Sequence, residues 1–245
     1  MSTVTLLHTN DFHNHFTERQ AERLAARRTE LGNRGLLLDA GDAVSVGNIT
    51  YRPGGEPILD RMSGAGYDAM TVGNREFHFS QAGFCATLSR ARFPILCANV
   101  RAVRSGTALP VVSHITRRME GDVRISVFGL TVPMVTERML ARKVSAYVFD
   151  DPIATAARLV PTLRPDCDLL ICLSHIGLAR DREMAAGVAG IDLIVGGHTH
   201  AVLEAGERVG ETTIVQAGQY GKYLGSVVVA IGQGIRTMAA KVEPL

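Results

Sequence analysis

The chain has 245 residues, 46% of them hydrophobic and 20% charged, with 25 Gly and 9 Pro. That balance excludes a disordered, collagenous or coiled-coil protein, and it is enough for a compact fold burying about 70–75% of its unfolded surface without a disulfide or structural metal. Basic and acidic residues number 26 and 24, for a net charge of +2; with no basic stripe, nothing marks a nucleic-acid or membrane surface.

Cys85, Cys97, Cys167 and Cys172 lack C-x-x-C spacing, and each lies in an apolar run where it packs as a small hydrophobe. Buried free thiols predict a reducing compartment. No apolar stretch reaches the ~18 residues of a membrane span, and the first residues lack the pattern of a signal peptide. The expected location is therefore cytoplasmic. Without repeats, low-complexity tracts or linkers, residues 1–245 read as one catalytic-size domain.

Apolar runs of strand length alternate with helical segments, the pattern of a layered α/β fold. The first strand is predicted at Val4–His8. A helix follows from Thr17, whose T-x-x-Q pattern with Gln20 is a capping box, and it stops at Gly32. Strand Gly35–Asp39 is next, then a short helix opened by Pro57, carrying Ile58, Leu59 and Met62 and ended by Gly66. A strand is expected around Ala69–Val72, a helix around Gln81–Arg90 and a strand at Ile95–Ala98. The stretch Val100–Val148 reads as strand-rich. Asp151-Pro152 opens a helix that Pro161 kinks or ends. Strand Asp168–Leu173, a helix near Leu178–Val188 and strand Ile191–Val195 follow, and Thr212–Val242 reads as three strands.

The chemistry sits where these runs end. The first strand leads into Asp11-Phe12-His13, the second into Asp42, the third into Asn74-Arg75-Glu76, and the later ones into His175 and His198-Thr199-His200. Open α/β sheets place ligand sites at these C-terminal ends, and carboxylate and imidazole donors without any Cys suit Mn, Fe, Zn or Mg more than a thiolate zinc site. In extended chain, residues i and i+2 share a side, so Asp11 with His13 and His198 with His200 can each aim two donors at one region. Gly41, Gly73, Gly196 and Gly197 let the backbone turn close to an ion.

The ordered set D-x-H, G-D, G-N-[HR]-E, S-H and G-H-x-H, running from Leu7 to His200, resembles the calcineurin-like metallophosphoesterases. The wording H-T-N-D-x-H, D-A-G-D, S-H-x-G and G-G-H-T-H is most similar to their 5′-nucleotidase branch. The resemblance implies a four-layer α/β/β/α sandwich with two divalent ions, manganese being the first choice. It implies Asp11, His13 and His200 on one ion, Asn74, His175 and His198 on the other, and Asp42 bridging both. Two cations beside two aspartates leave a net positive site suited to a phosphoryl group. Paired cations also activate water and clamp the oxygens of an in-line displacement. The implied activity is hydrolysis of a small phosphomonoester, nucleotide or cyclic phosphodiester, with no macromolecular partner or oligomeric state specified. The alternatives are a metal-binding or regulatory protein without turnover, and an amidohydrolase-type hydrolase, whose H-x-H first strand and strict βα repeat are absent.

The chain departs from the family at Gly73-Asn74-Arg75-Glu76-Phe77-His78. Arg75 stands where relatives carry a His that assists the reaction, and His78 where an Asp supports it. Arg stays charged, so Arg75 is expected to bind phosphoryl oxygens and His78 to supply the leaving-group proton. The competing expectation pairs Arg75 with Glu76 or another surface acid and packs His78. Asn74, Arg75 and Asn48 are the expected substrate contacts, with Asn14, His15, Arg52 and Asn99 as further candidates. His8 and His114 are assigned to structure. Relatives usually carry a C-terminal domain that grips the nucleoside and nothing after Leu245 could form one, so nucleotide specificity is not expected to follow from the metals.

Overall fold

The structure, a computed structural model, describes residues 2–47, 49–232 and 234–245. The chain begins β1 (Ser2–Thr9), α1 (Glu18–Leu31), β2 (Gly35–Asp39), α2 (Pro57–Ala65), β3 (Ala69–Thr71), α3 (Gln81–Leu88) and β4 (Ile95–Leu96). The middle contains β5 (Val100–Ala102), β6 (His114–Arg118), β7 (Arg124–Thr131), β8 (Tyr147–Phe149), α4 (Pro152–Leu163) and β9 (Leu169–His175). It closes with α5 (Leu178–Gly187), β10 (Leu193–Gly196), β11 (Glu207–Val209), β12 (Thr212–Val215), β13 (Tyr223–Gly232) and β14 (Gly234–Pro244).

Two six-stranded sheets result, ordered β14-β13-β1-β2-β3-β4 and β11-β12-β10-β9-β7-β6, with β5 and β8 as a separate ribbon. Within them β1–β4 are mutually parallel, as are β7, β9, β10 and β12. Strands buried on both faces explain their continuous apolar runs. On β1 and β2, Val4, Leu6, Leu36 and Leu38 face the other sheet, where Ile125, Leu169, Ile171 and Val195 meet them. The alternate residues Leu7 and Leu37 face outward onto Leu24, Leu59 and Met62 of α1 and α2. Leu170, Cys172 and Ile194 likewise pack outward against Ala156, Val160 and Met184 of α4 and α5. Three apolar layers thus separate four structural ones, the α/β/β/α sandwich.

Local signals place the helices as expected. Thr17 and Gln20 form the capping box of α1 in both directions. Pro57 occupies the first turn of α2, and Gly66 ends it in the left-handed conformation at φ +82°. The strand-rich middle holds β5 to β8, joined by loops at 103–113 and 132–146. Two points differ from expectation. Helix α4 continues through Pro161 to Leu163, because buried Val160 and Leu163 hold its last turn to the outer core despite one lost N–H. Strand β11 was not foreseen: its three residues are half-buried or exposed and carry no continuous apolar run.

Candidate metal centre

The loops after β1, β2, β3, β9, β10 and β12 meet at one edge of the sandwich. The first two run side by side, Asp11 N donating to Gly41 O (2.9 Å), His13 N to Asp42 O (2.9 Å) and Asn14 N to Ala43 O (2.7 Å). Among the bonds that tie the sheets together here, His175 Nδ1 donates to Ala40 O (2.7 Å), and His198 N donates to Asp11 Oδ2 (2.9 Å). Gly197 permits this approach, since a Cβ there would lie 2.8 Å from Ala40 O and 2.9 Å from His175 Nδ1. This glycine admits a neighbouring loop, not an ion.

Asp11, His13 and His200 converge. His13 Nε2 and His200 Nε2 are 3.3 Å apart, and they lie 3.6 and 3.3 Å from Asp11 Oδ1. A tetrahedron around an ion with ligands at about 2.0–2.2 Å has edges of about 3.3–3.6 Å. Asp11 Oδ2 is occupied by Asn10 Nδ2 (2.7 Å) and His198 N, which leaves buried Oδ1 without a hydrogen-bond partner. Asp11 also groups with Asp42 and His175, whose Nε2 lies 3.4 Å from Asp42 Oδ1. Within this cluster His175 Nε2 is likewise buried without a hydrogen-bond partner, its Nδ1 being committed to Ala40. Orphaned donors facing one another in a buried cluster fit cations.

Electrostatics point the same way. Burial alone would raise the Asp42 carboxyl, but the nearby imidazole and charge of His175 and the hydrogen bond from the Arg75 N–H hold it below its ordinary value. Burial would depress His175, yet Asp42 and Asp11 raise it to about 9. Burial, then repulsion from His175, lowers His198. A site that makes an imidazole this basic attracts positive charge.

His198 Nδ1 lies 3.1 Å from Asn74 Oδ1, so His198 joins Asn74 and not His200. The i, i+2 argument therefore fails at this motif. Its physical reason is visible in the backbone: Asp11, His13, Asn14, Asp42, His198, His200 and Tyr220 all have φ between +48° and +73°, left-handed and not extended.

Arg75 is exposed, with Nη1 on Ser45 O (3.2 Å) and its backbone N donating to Asp42 Oδ1 (2.7 Å); it has no carboxylate partner among the described residues. Glu76 is buried elsewhere, accepting from Asp42 N (2.9 Å), Val44 N (3.1 Å) and Gly73 N (2.7 Å). Burial, then the charge of Asp42, pushes its carboxyl up to about 7 against those donors. His78 lies outside the cluster. Its Nδ1 accepts from Ser80 N (3.0 Å), so Nε2 carries the proton and donates it to Ile49 O (3.1 Å). The ring packs between Tyr51 and Phe79.

Of the further candidates, Asn99 is buried, donating to Thr131 O and Asp150 O and accepting from Thr131 N, which leaves nothing for a substrate. Asn14 Nδ2 bonds Ser45 Oγ, Arg52 faces Glu56, and His15 lies against Tyr220. Asn48 lies outside the described residues. Two neighbours of the ligands had no role assigned from sequence, Asn10, which orients Asp11, and Tyr220, whose ring lies against His13. Asn10 was visible inside the H-T-N-D-x-H wording, with nothing to say what it would bond. Tyr220 had no signal beyond its glycine neighbour.

No family model matches the chain. It is 33% identical over 268 residues to the trifunctional nucleotide phosphoesterase protein YfkN of Bacillus subtilis, covering 94% of this chain and 18% of that protein. It is 28% identical to the 5′-nucleotidase of Vibrio cholerae, covering 91% of this chain and 48% of that one. The crystal structure of a 5′-nucleotidase precursor from Thermus thermophilus superposes with a TM-score of 0.80 at 25% identity, covering 99% of this chain and 54% of the other. The chain belongs to the calcineurin-like metallophosphoesterases, on their 5′-nucleotidase branch. It spans about half or less of the length of these curated relatives. Among the described residues, no helix of this metallophosphoesterase is long and apolar enough to cross a membrane.

Proposed function

We propose that this metallophosphoesterase hydrolyses small phosphate esters, nucleotides among them, using two divalent ions. The supporting observation is the Asp11, His13 and His200 triangle sharing Asp11 with Asp42 and His175. On this reading Asp11, His13 and His200 would hold one ion and Asn74, His175 and His198 the other. Asp42 would be shared between them, with Asp11 beside it in both groups. Mixed imidazole and carboxylate donors suit Mn, Fe, Zn or Mg, and manganese is our first choice among them. Bound there, two cations supply activation of water from a pKa of about 15.7 toward about 7, and charge for the phosphoryl oxygens.

The chain's own residues do the rest. Asn10 and the His198 N–H hold Asp11 Oδ2, aiming Oδ1 inward. Glu76 ties the loops carrying Asp42 and Gly73 together. Arg75, exposed and without an acid partner, binds phosphoryl oxygens. Neither Arg75 nor His78 gives a proton to the leaving group, because one is a permanent cation and the other spends its N–H on Ile49 O. Esters with good leaving groups are therefore the better substrates. Residues 1–245 act as one catalytic domain. Three buried cysteines and half-buried Cys85, all unpaired, favour a cytoplasmic location.

One observation favours the alternative of a binding protein without turnover, namely Arg75 in the place of the family's His. The deciding assay loads the purified protein with Mn and compares aryl phosphates and aryl phosphodiesters of graded leaving-group pKa. Turnover that falls steeply as that pKa rises is expected. Two ions bound with no turnover on any ester would overturn the hydrolase reading.

A further inference from the structure

Tyr220 stands out on three counts. It is a large aromatic residue left 40% exposed. It adopts φ +61°, a left-handed conformation that costs a non-glycine residue about 1–3 kcal/mol. Its ring meets imidazoles on one side only of the metal centre, with centroids 5.4 Å from His13 (interplanar 69°), 6.2 Å from His200 (50°) and 4.7 Å from His15 (51°). Among the described residues its hydroxyl makes no hydrogen bond.

The turn that carries it is fastened at four points, three on the Asp11 loop and one on α1. Ala217 N donates to Asn10 Oδ1 (2.9 Å), Asn10 Nδ2 to Gly218 O (2.6 Å), Tyr220 N to Asp11 O (2.8 Å) and Gln20 Nε2 to Gly221 O (2.7 Å). Gly221 fits against His15 O, which a Cβ would approach to 2.6 Å. The ring is thus held in fixed relation to the residues it touches. Backbone strain kept at such a position calls for a role of the side chain, because Gly would relieve it.

We propose that Tyr220 is a positioning residue for one of the two ion positions, a proposal that rests on the dinuclear reading above. Its ring packs edge-on against His13 and beside His200, whose own rings stand at 78° to each other, and fixes both planes so that their Nε2 atoms meet at Asp11 Oδ1. The Asp42 and His175 side of the centre receives no such support from it. Edge-to-face packing is what does the orienting, so the hydroxyl is dispensable.

The test titrates Mn²⁺ into the full chain by calorimetry for wild type, Tyr220→Phe, Tyr220→Gly and Tyr220→Ala, with thermal unfolding recorded for each. Wild type should bind two ions, and Tyr220→Phe should match it within about twofold. Tyr220→Gly, which also relieves the strained φ, and Tyr220→Ala should keep one ion at wild-type affinity and weaken the other about 10–100-fold, the loss typical of an outer-shell partner. Unchanged binding of both ions in Tyr220→Gly would overturn the proposal, as would equal weakening of both, or Tyr220→Phe binding as poorly as Tyr220→Gly. A wild-type stoichiometry below two would instead overturn the dinuclear reading on which the proposal rests.

Discussion

Metal binding should be coupled to loss of a proton from His175. Its Nδ1 is committed to Ala40 O, so only Nε2 can take an ion, and Nε2 is also where a proton faces Asp42 Oδ1 at 3.4 Å. The folded-state value of about 9 lies above the ordinary 6.5. Stability from this ion pair is therefore fully present below about 6.5 and is lost as pH rises through about 9. Ion binding has the opposite dependence, since the cation replaces the proton. At pH 7 the competition should weaken apparent affinity about 100-fold relative to pH well above 9, or ~2.7 kcal/mol. Calorimetry in two buffers of different ionisation enthalpy at pH 7.5 should report about one proton released from this residue. The release should fade above pH 9.5 and disappear in His175→Ala. Affinity for both ions that is flat between pH 7 and 9 would refute the assignment of Nε2 as a ligand.

Glu76→Gln should cost about 2–3 kcal/mol in urea unfolding, because the amide can satisfy Asp42 N and Gly73 N through one oxygen but turns an NH₂ toward the Val44 N–H; a loss under about 0.5 kcal/mol would contradict the staple role. Gly197→Ala places its methyl across the His175–Ala40 bond. It should lower stability by about 1–3 kcal/mol and weaken Mn²⁺ binding measured by calorimetry.

The fold was legible wherever one residue type solves a local problem. Thr17 with Gln20 and Pro57 with Gly66 mark helix ends because they satisfy or terminate backbone groups there, and both marked them correctly. The twofold-buried strands announced themselves as runs such as Gly35–Asp39. Strand β11 did not, because its pairing to β12 is an edge contact that needs no apolar pattern. Pro161 misled for a related reason: the sequence displays the lost N–H, while the burial of Val160 and Leu163 that outweighs it is tertiary.

The site was legible as a set of residues and not as a geometry. Order and spacing brought Asp11, His13, Asp42, Asn74, His175, His198 and His200 forward, but period-two alternation was the wrong reason, since five of the seven are left-handed. Loops turning this sharply place neighbouring donors on different sides, which is why His198 leaves His200 and meets Asn74. The strain is sustained by what surrounds it. Asn10, Glu76 and Ala40 O each satisfy the atom of a ligand residue that does not face the cluster, and Gly197 leaves room for the His175–Ala40 bond and beside Asp11 Oδ2. Those supporting residues lie inside the same motifs as the donors, Asn10 in H-T-N-D-x-H, Ala40 in D-A-G-D, Glu76 in G-N-R-E and Gly197 in G-G-H-T-H, but the atom each one satisfies is a tertiary fact, which is why the sequence exposes the donors while concealing how they are aimed.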